Sequence, residues 1–219
     1  MSRPRIKICC ISSEQEVAIA VAGGADLLGF VAPPLGGLGV IPVERIAELI
    51  SLVPPGCVAV LLTGLTGFED IANQVRLARP DGVQLVRSTT PETRRALREA
   101  FPGLRLLQVV HVHGEDAIDD ALAAQEHSHG LVLDSAVLGG PTEQLGATGT
   151  THDWSISARV VAAVDVPVYL AGGLSAANAA QARRVVGSFG LDLCSSVRTQ
   201  GRLDQDKVSA FVAAAQSAP

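Results

Sequence analysis

An α/β chain closed into a (β/α)8 barrel is the architecture this sequence predicts, and three observations predict it. Short apolar runs alternate with amphipathic stretches eight times along the chain. Parallel strands require crossover helices, so strict alternation points to a parallel sheet. Eight such units within 219 residues, without a long insertion or a Pro/Gly/Ser linker, fit one compact barrel domain over residues 1–219. An open doubly wound sheet is the competing arrangement.

The first run, Ile6–Cys10, sets Ile6 and Ile8 on one face and Lys7 and Cys9 on the other. Ser12-Ser13-Glu14 follows at once as a helix start. The pattern therefore predicts isoleucines packed under helices and Cys9 opening on a functional mouth. The remaining strands are expected at Leu27–Val31, Val58–Leu62, Gly82–Leu85, Leu106–His111, Leu131–Asp134, Val168–Ala171 and Leu191–Ser195. Helices are expected near Glu14–Ala22, Val43–Leu52, Phe68–Ala78, Pro91–Ala100, Glu115–Ala124, Ser155–Ala163, Ala176–Val186 and Asp204–Ala214, where apolar residues recur at helical spacing.

Composition narrows the function classes. The chain is 47% hydrophobic and 18% charged, with a formal net charge of -5 and scattered cations. No basic stripe offers itself to nucleic acid and no polybasic patch to a membrane. No window reads as a membrane span, and the first residues run into a strand without a signal-peptide core, so a cytoplasmic protein is expected. The four cysteines, Cys9, Cys10, Cys57 and Cys194, show no metal-ligand spacing and are expected reduced, with no bridge between the adjacent Cys9 and Cys10. Aromatic residues make up only 3%, which marks no interface patch and leaves the oligomeric state unread.

In a barrel of this kind reactive side chains sit where strands end and βα loops begin. Those ends carry Cys9 and Cys10, Pro33 to Gly39, Arg87, His111 and His113, Asp134, Gly172 and Gly173, and Ser195 and Ser196. The last two loops are small or hydroxylated and precede helix starts, where backbone N–H groups and the helix dipole suit a phosphate. Gly172, Gly173, Ser195 and Ser196 are the expected cradle. Each suspect also has a structural reading: Cys9 as packing, Asp134 as a loop cap, Lys7 and Asp192 as an ion pair inside the barrel.

Several of these stretches, in order, resemble one family. Lys7-Ile8-Cys9, Ala25 to Phe30, Leu131 to Asp134, Gly146-Ala147-Thr148-Gly149, His152-Asp153-Trp154, Leu170 to Leu174 and Asp192 to Ser195 are similar to the phosphoribosylanthranilate isomerases of tryptophan biosynthesis. The resemblance implies a TIM barrel that uses neither metal nor organic cofactor. It implies an Amadori rearrangement, converting a phosphorylated sugar-amine substrate, an N-(5-phosphoribosyl) aromatic amine, into its 1-deoxyribulose isomer. The family's base maps onto Cys9 and its acid onto Asp134; Gly149 joins the phosphate cradle, and Lys7, Arg87, His111, His113 and Asp192 are candidate substrate contacts.

That chemistry needs a proton delivered to the ribose ring oxygen and a proton removed from C2 of the iminium that results. A thiol at its ordinary pKa is mostly protonated at neutral pH, so Cys9 needs a neighbour that lowers its pKa, and Lys7 is the candidate. Asp134 needs the reverse, a carboxyl kept protonated by burial.

The chain also departs from the family pattern. After the second strand, where the family reads Lys-Ser-Pro-Arg and grips a carboxylate with the arginine, this chain has Pro34-Leu35-Gly36-Gly37-Leu38-Gly39-Val40 and no cation. Val86-Arg87 replaces His-Gly, Cys10 replaces a glycine, and Arg198 replaces a glutamate. Arg87, with His111 or His113, is expected to take over the lost grip. The alternatives are a phosphoribosyl isomerase with another amine as aglycone, and a non-catalytic phosphometabolite-binding barrel.

Overall fold

The computed structural model describes residues 3–135 and 152–217. Eight parallel strands close on themselves: β1 (Arg5–Ile8), β2 (Leu27–Val31), β3 (Val58–Thr63), β4 (Gly82–Leu85), β5 (Arg105–His111), β6 (Gly130–Asp134), β7 (Val168–Leu170) and β8 (Gly190–Leu193). Between them run α1 (Glu14–Ala22), α2 (Val43–Ile50), α3 (Phe68–Ala78), α4 (Pro91–Ala100), α5 (Ala117–Ala124), α6 (Trp154–Ala163) and α7 (Ala179–Val186), and α8 (Gln205–Gln216) follows the last strand. The barrel closes where β1 pairs with β8, Ile8 lying beside Leu193. The open doubly wound alternative is thereby excluded.

Alternation along each strand divides the apolar residues into two sets. Ile6, Ile8, Leu28, Phe30, Leu61, Leu85, Leu133 and Leu191 face outward and are buried under the helices. Leu27, Val60, Leu62, Leu107, Val109, Val132 and Tyr169 fill the interior together with Cys9. Because both faces of every strand are covered, the strands read as nearly continuous apolar runs. Each fully buried Leu or Ile contributes roughly 1.5–3 kcal/mol from burial. The inward set thus forms a packed floor beneath the mouth.

Local signals set the helix starts. Ser13 accepts from Glu16 N–H to cap α1, Thr90 accepts from Thr93 N–H to cap α4, and Asp204 accepts from two amides of α8.

Several element bounds differ from the sequence expectation, and at three of them the structure shows the physical reason. The first strand stops at Ile8 rather than Cys10, because Cys10 turns to a positive φ of 65°. The seventh helix starts at Ala179 rather than Ala176, because Asn178 accepts from Ser175 N–H and donates to Gly173 O, closing a turn first. The last strand ends at Leu193; a single 3-10 turn (Ser195–Val197) and a small antiparallel hairpin, β9 (Arg198–Thr199) with β10 (Arg202–Leu203), come before α8.

That hairpin is fastened by a buried pair. The Arg198 guanidinium is bonded to the Glu16 carboxylate, which also accepts from the N–H groups of Leu203 and Ser12. Burial opposes the Glu16 charge, but Arg198 and these amides hold its pKa below the ordinary value. Arg198 further donates to the carbonyls of Cys9 and Cys10. The guanidinium that replaces the family's glutamate is therefore a structural tie.

Candidate active site

The site begins with strand alternation at the C-terminal mouth. Lys7 and Cys9 lie on the inward face of β1 and Asp192 on the inward face of β8, its direct neighbour, with Lys7 and Asp192 in register. The Lys7 ammonium donates to Cys9 Sγ at 2.5 Å and to Asp192 Oδ2 at 2.8 Å, and the thiol and that carboxylate oxygen stand 3.5 Å apart. All three are buried. Gly29 on β2 makes room for the thiol, since a Cβ there would stand 2.8 Å from Cys9 Sγ. The glycine between Leu28 and Phe30 is thus a consequence of the cysteine opposite it.

The electrostatics of this triad correct one expectation. Burial alone lowers the Lys7 ammonium, but Asp192 and Cys9 more than offset it, so Lys7 stays charged. Burial raises the Cys9 thiol well above its ordinary value, Asp192 raises it further, and Lys7 pulls the other way without prevailing. Lys7 is thus in contact with Cys9 as expected, yet in the substrate-free site the thiol holds its proton. The sequence reading paired Asp192 with Lys7 but did not weigh its effect on Cys9 across the barrel seam.

Asp134, the last residue of β6, faces the mouth from the other side, in register with His111 of β5. Burial, and then the charge on Asp192, push its pKa up to about 6. Its Oδ1 accepts from Ser135 N–H at 2.8 Å, which opposes but does not cancel the rise. The expectation of a raised carboxyl agrees with this environment.

Around the pair stand the other candidates. His111 Nε2 lies 3.1 Å from the carbonyl of Val86, its Nδ1 is buried with no partner among the described residues, and burial lowers its pKa, so the ring is neutral at pH 7. His113 is exposed and stacks on His111 at 6.4 Å. His152, before α6, bonds Ser157 Oγ at 2.6 Å, and burial brings it down to about 4. Arg87 follows β4, and its side chain approaches Gly64 at the end of β3, where Leu35 from the loop after β2 also packs.

On the proposed phosphate side, Gly172 and Gly173 take positive φ values of 82° and 61°, and Gly172 lies so close to Ser135 that a Cβ would stand 2.3 Å from its hydroxyl. The turn after β7 is therefore pressed against the residue that follows Asp134. Ser195 is exposed and Ser196 half-buried, with Ser196 Oγ lacking a partner among the described residues. Neither pair abuts the start of a long helix directly, contrary to expectation: a turn intervenes before α7, and a 3-10 turn and hairpin before α8. Gly149 lies outside the described residues.

The sequence reading missed two features. Asp192 Oδ1 is buried without a hydrogen-bond partner among the described residues, although Oδ2 accepts from Lys7. Cys10 Sγ also meets Cys194 Sγ at 2.7 Å, a contact 184 residues apart that only the closure of β1 on β8 creates.

Among the described residues no cluster of His, Cys, Asp or Glu is arranged to hold a metal, and no helix is long and apolar enough to cross a membrane.

Comparisons place this geometry. Residues 6–214 match the family model for N-(5'phosphoribosyl)anthranilate (PRA) isomerase. An N-(5'-phosphoribosyl)anthranilate isomerase of Haloferax volcanii is 36% identical over 98% of this chain and 94% of its own length. The enzyme of the same name from Methanothrix thermoacetophila is 31% identical over 95% and 96%. Among solved structures, the isomerase from Pyrococcus furiosus superposes with a TM-score of 0.78 at 25% identity, covering 97% of this chain and 98% of that one. A phosphoribosyl anthranilate isomerase in complex with reduced 1-(o-carboxyphenylamino)-1-deoxyribulose 5-phosphate reaches 0.80 at 25% identity with the same coverage. A family match over nearly the whole chain, joined to a closed eight-stranded barrel, settles the family: this chain is a member of the N-(5'-phosphoribosyl)anthranilate isomerase family.

Proposed function

We propose that in the Amadori rearrangement of N-(5'-phosphoribosyl)anthranilate this chain uses Asp134 as general acid and Cys9 as general base. The observation that carries the reading is the carboxyl of Asp134, buried at the mouth and pushed to about 6 by burial and Asp192, which is the state a proton donor needs near neutral pH. Asp134 gives its proton to the ribose ring oxygen as the C1–O bond breaks, and the amine nitrogen becomes an iminium. Cys9 then removes the proton from C2, giving the enolamine that tautomerises to the 1-deoxyribulose product.

The resting proton sits on the thiol, so Cys9 must pass it to solvent as the complex forms. The positive iminium favours that ionisation, and Lys7, 2.5 Å away, stabilises the thiolate as it forms. The free Oδ1 of Asp192 accepts a sugar hydroxyl. Gly172, Gly173, Ser195 and Ser196, with Gly149, receive the phosphate; the two positive-φ glycines and the unpartnered Ser196 hydroxyl support this side of the reading.

The aromatic end lies toward the loop after β2. That loop has no cation, and its Leu35 packs at Gly64 beside Arg87, so Arg87 assumes the carboxylate contact from β4. His111, neutral and in register with Asp134, and His113 stacked on it flank the same side. The reading also takes the chain as one domain, expected to unfold in a single transition, working in the cytoplasm where phosphorylated intermediates are held.

The test is turnover of freshly prepared N-(5'-phosphoribosyl)anthranilate, followed by loss of its fluorescence, in the parent protein, Cys9→Ala and Asp134→Ala. Activity in the parent and loss in both variants is expected. Full turnover in either variant would remove that residue from the proposed pair, and ribose 5-phosphate binding without turnover would point to another aglycone.

A further inference from the structure

We propose that Cys10 and Cys194 form a reversible dithiol–disulfide site at the seam where the barrel closes, oxidised by low-molecular-weight disulfides. Their sulfurs lie 2.7 Å apart. A disulfide needs about 2.05 Å between sulfurs, so an adjustment of under an ångström closes the bond.

The backbone holds both residues for this. β1 and β8 pair up to Ile8 and Leu193, and Cys9 N–H continues the ladder to Leu193 O at 2.9 Å, so both cysteines leave paired strands together. Arg198 donates to the carbonyl of Cys10. Gly39 presses on Cys10 from the loop after β2, with space for a Cβ of only 2.5 Å to the Cys10 carbonyl oxygen. Cys10 thus keeps its position at a positive φ that a side chain rarely takes.

The neighbouring thiol is not a competitor. Cys9 points into the barrel toward Lys7 and Asp192. Cys194 is half-buried, which lets a small oxidant reach it, whereas Cys10 is buried. The contact with Cys10 and the guanidinium of Arg198 lower the Cys194 pKa, while the same contact and burial raise that of Cys10. Cys194 is therefore the attacking thiolate.

The chemistry balances in two displacements. The Cys194 thiolate attacks one sulfur of the small disulfide, forming a mixed disulfide and releasing one thiolate. Cys10 then gives up its proton and attacks the Cys194 sulfur, releasing the second small thiolate. Two protein thiols are oxidised by two electrons, and the small disulfide is reduced to two thiols. Closed, the bond ties the residue after Cys9 to the residue before Ser195 and Ser196. A shift in substrate KM on oxidation follows only if the phosphate reading above holds; the bond itself does not depend on it.

The experiment counts thiols and maps cross-linked peptides after exposure of the intact protein to oxidised glutathione, with Cys10→Gly and Cys194→Ser beside it. In the parent, two of the four thiols should disappear, a Cys10–Cys194 peptide should appear, and dithiothreitol should reverse both. Cys10→Gly should stop at a glutathione adduct on Cys194, and Cys194→Ser should keep its three thiols. Four titratable thiols in the treated parent, or a cross-link through Cys9 or Cys57, would overturn the proposal.

Discussion

The two halves of the mouth are built differently. On the seam of β1 and β8, Lys7, Cys9, Asp192, Arg198, Cys10 and Cys194 form a continuous set of contacts between 2.5 and 3.5 Å. On the side of β2 to β4, the loop Pro33–Val40 offers glycines and leucines but no cation, and Arg87 stands after β4 near Gly64. Proton transfer fixes atoms to within tenths of an ångström, so the seam leaves little freedom in its residues. Holding an aromatic acid needs only shape and one positive charge, which several strand ends can supply. On the proposed reading the barrel keeps the proton-transfer side and rebuilds the aromatic side.

That contrast can be broken most forcefully at the proton-transfer pair, Cys9 on the seam and Asp134 across the mouth from it. Cys9→Ala and Asp134→Ala should each lower kcat by at least ~10²–10⁴-fold, the usual contribution of a positioned acid or base. Lys7→Met should cost the fold on the order of 3–5 kcal/mol, read by urea unfolding, because Asp192 would be left buried and unpaired. A loss below about 1 kcal/mol would mean that the seam is not electrostatically interlocked.

The rebuilt side should yield more gently. Arg87→Ala should raise KM by ~10–100-fold with kcat nearly unchanged, as for lost uniform binding through a charge-assisted contact. Unchanged kinetics would take Arg87 out of the site and move the grip to His111 or His113.

The smallest effect sharpens the comparison through stability. Asp134 has a folded pKa above its unfolded one, so the native state binds the extra proton, and stability falls as pH rises from the ordinary carboxylate value to about 6. Asp134→Asn should therefore match the parent near pH 4 and exceed its stability at pH 8, by on the order of 3 kcal/mol. Equal melting temperatures at both pH values would contradict the strained carboxylate.

Much of this was legible in the sequence, for a reason particular to each part. The period of two in Ile6 to Cys9 placed Lys7 and Cys9 inside the barrel, and apolar alternation gave all eight strands to within two residues at each end. Asp134 was legible as a suspect from its place at a strand end, and as the acid only through the resemblance of Leu131 to Asp134 to the family. The environment of Cys9 was not, because its pKa depends on Asp192, 183 residues away and brought close only by barrel closure. The Cys10 contact with Cys194 and the buried Arg198–Glu16 tie escaped for the same reason. The late start of α7 depended on one side chain, Asn178, folding back onto Ser175.

The central claim is that burial and the charge on Asp192 raise the Asp134 carboxyl to about 6, so that it can give up a proton near neutral pH, while Cys9 waits beside Lys7. The most direct measurement is the pH titration of the Asp134 carboxyl carbon by NMR in the free protein, alone and with Asp192→Asn. A midpoint near 6 that drops in the variant is the predicted result. A midpoint in the ordinary carboxylate range, unmoved by the substitution, would contradict the account.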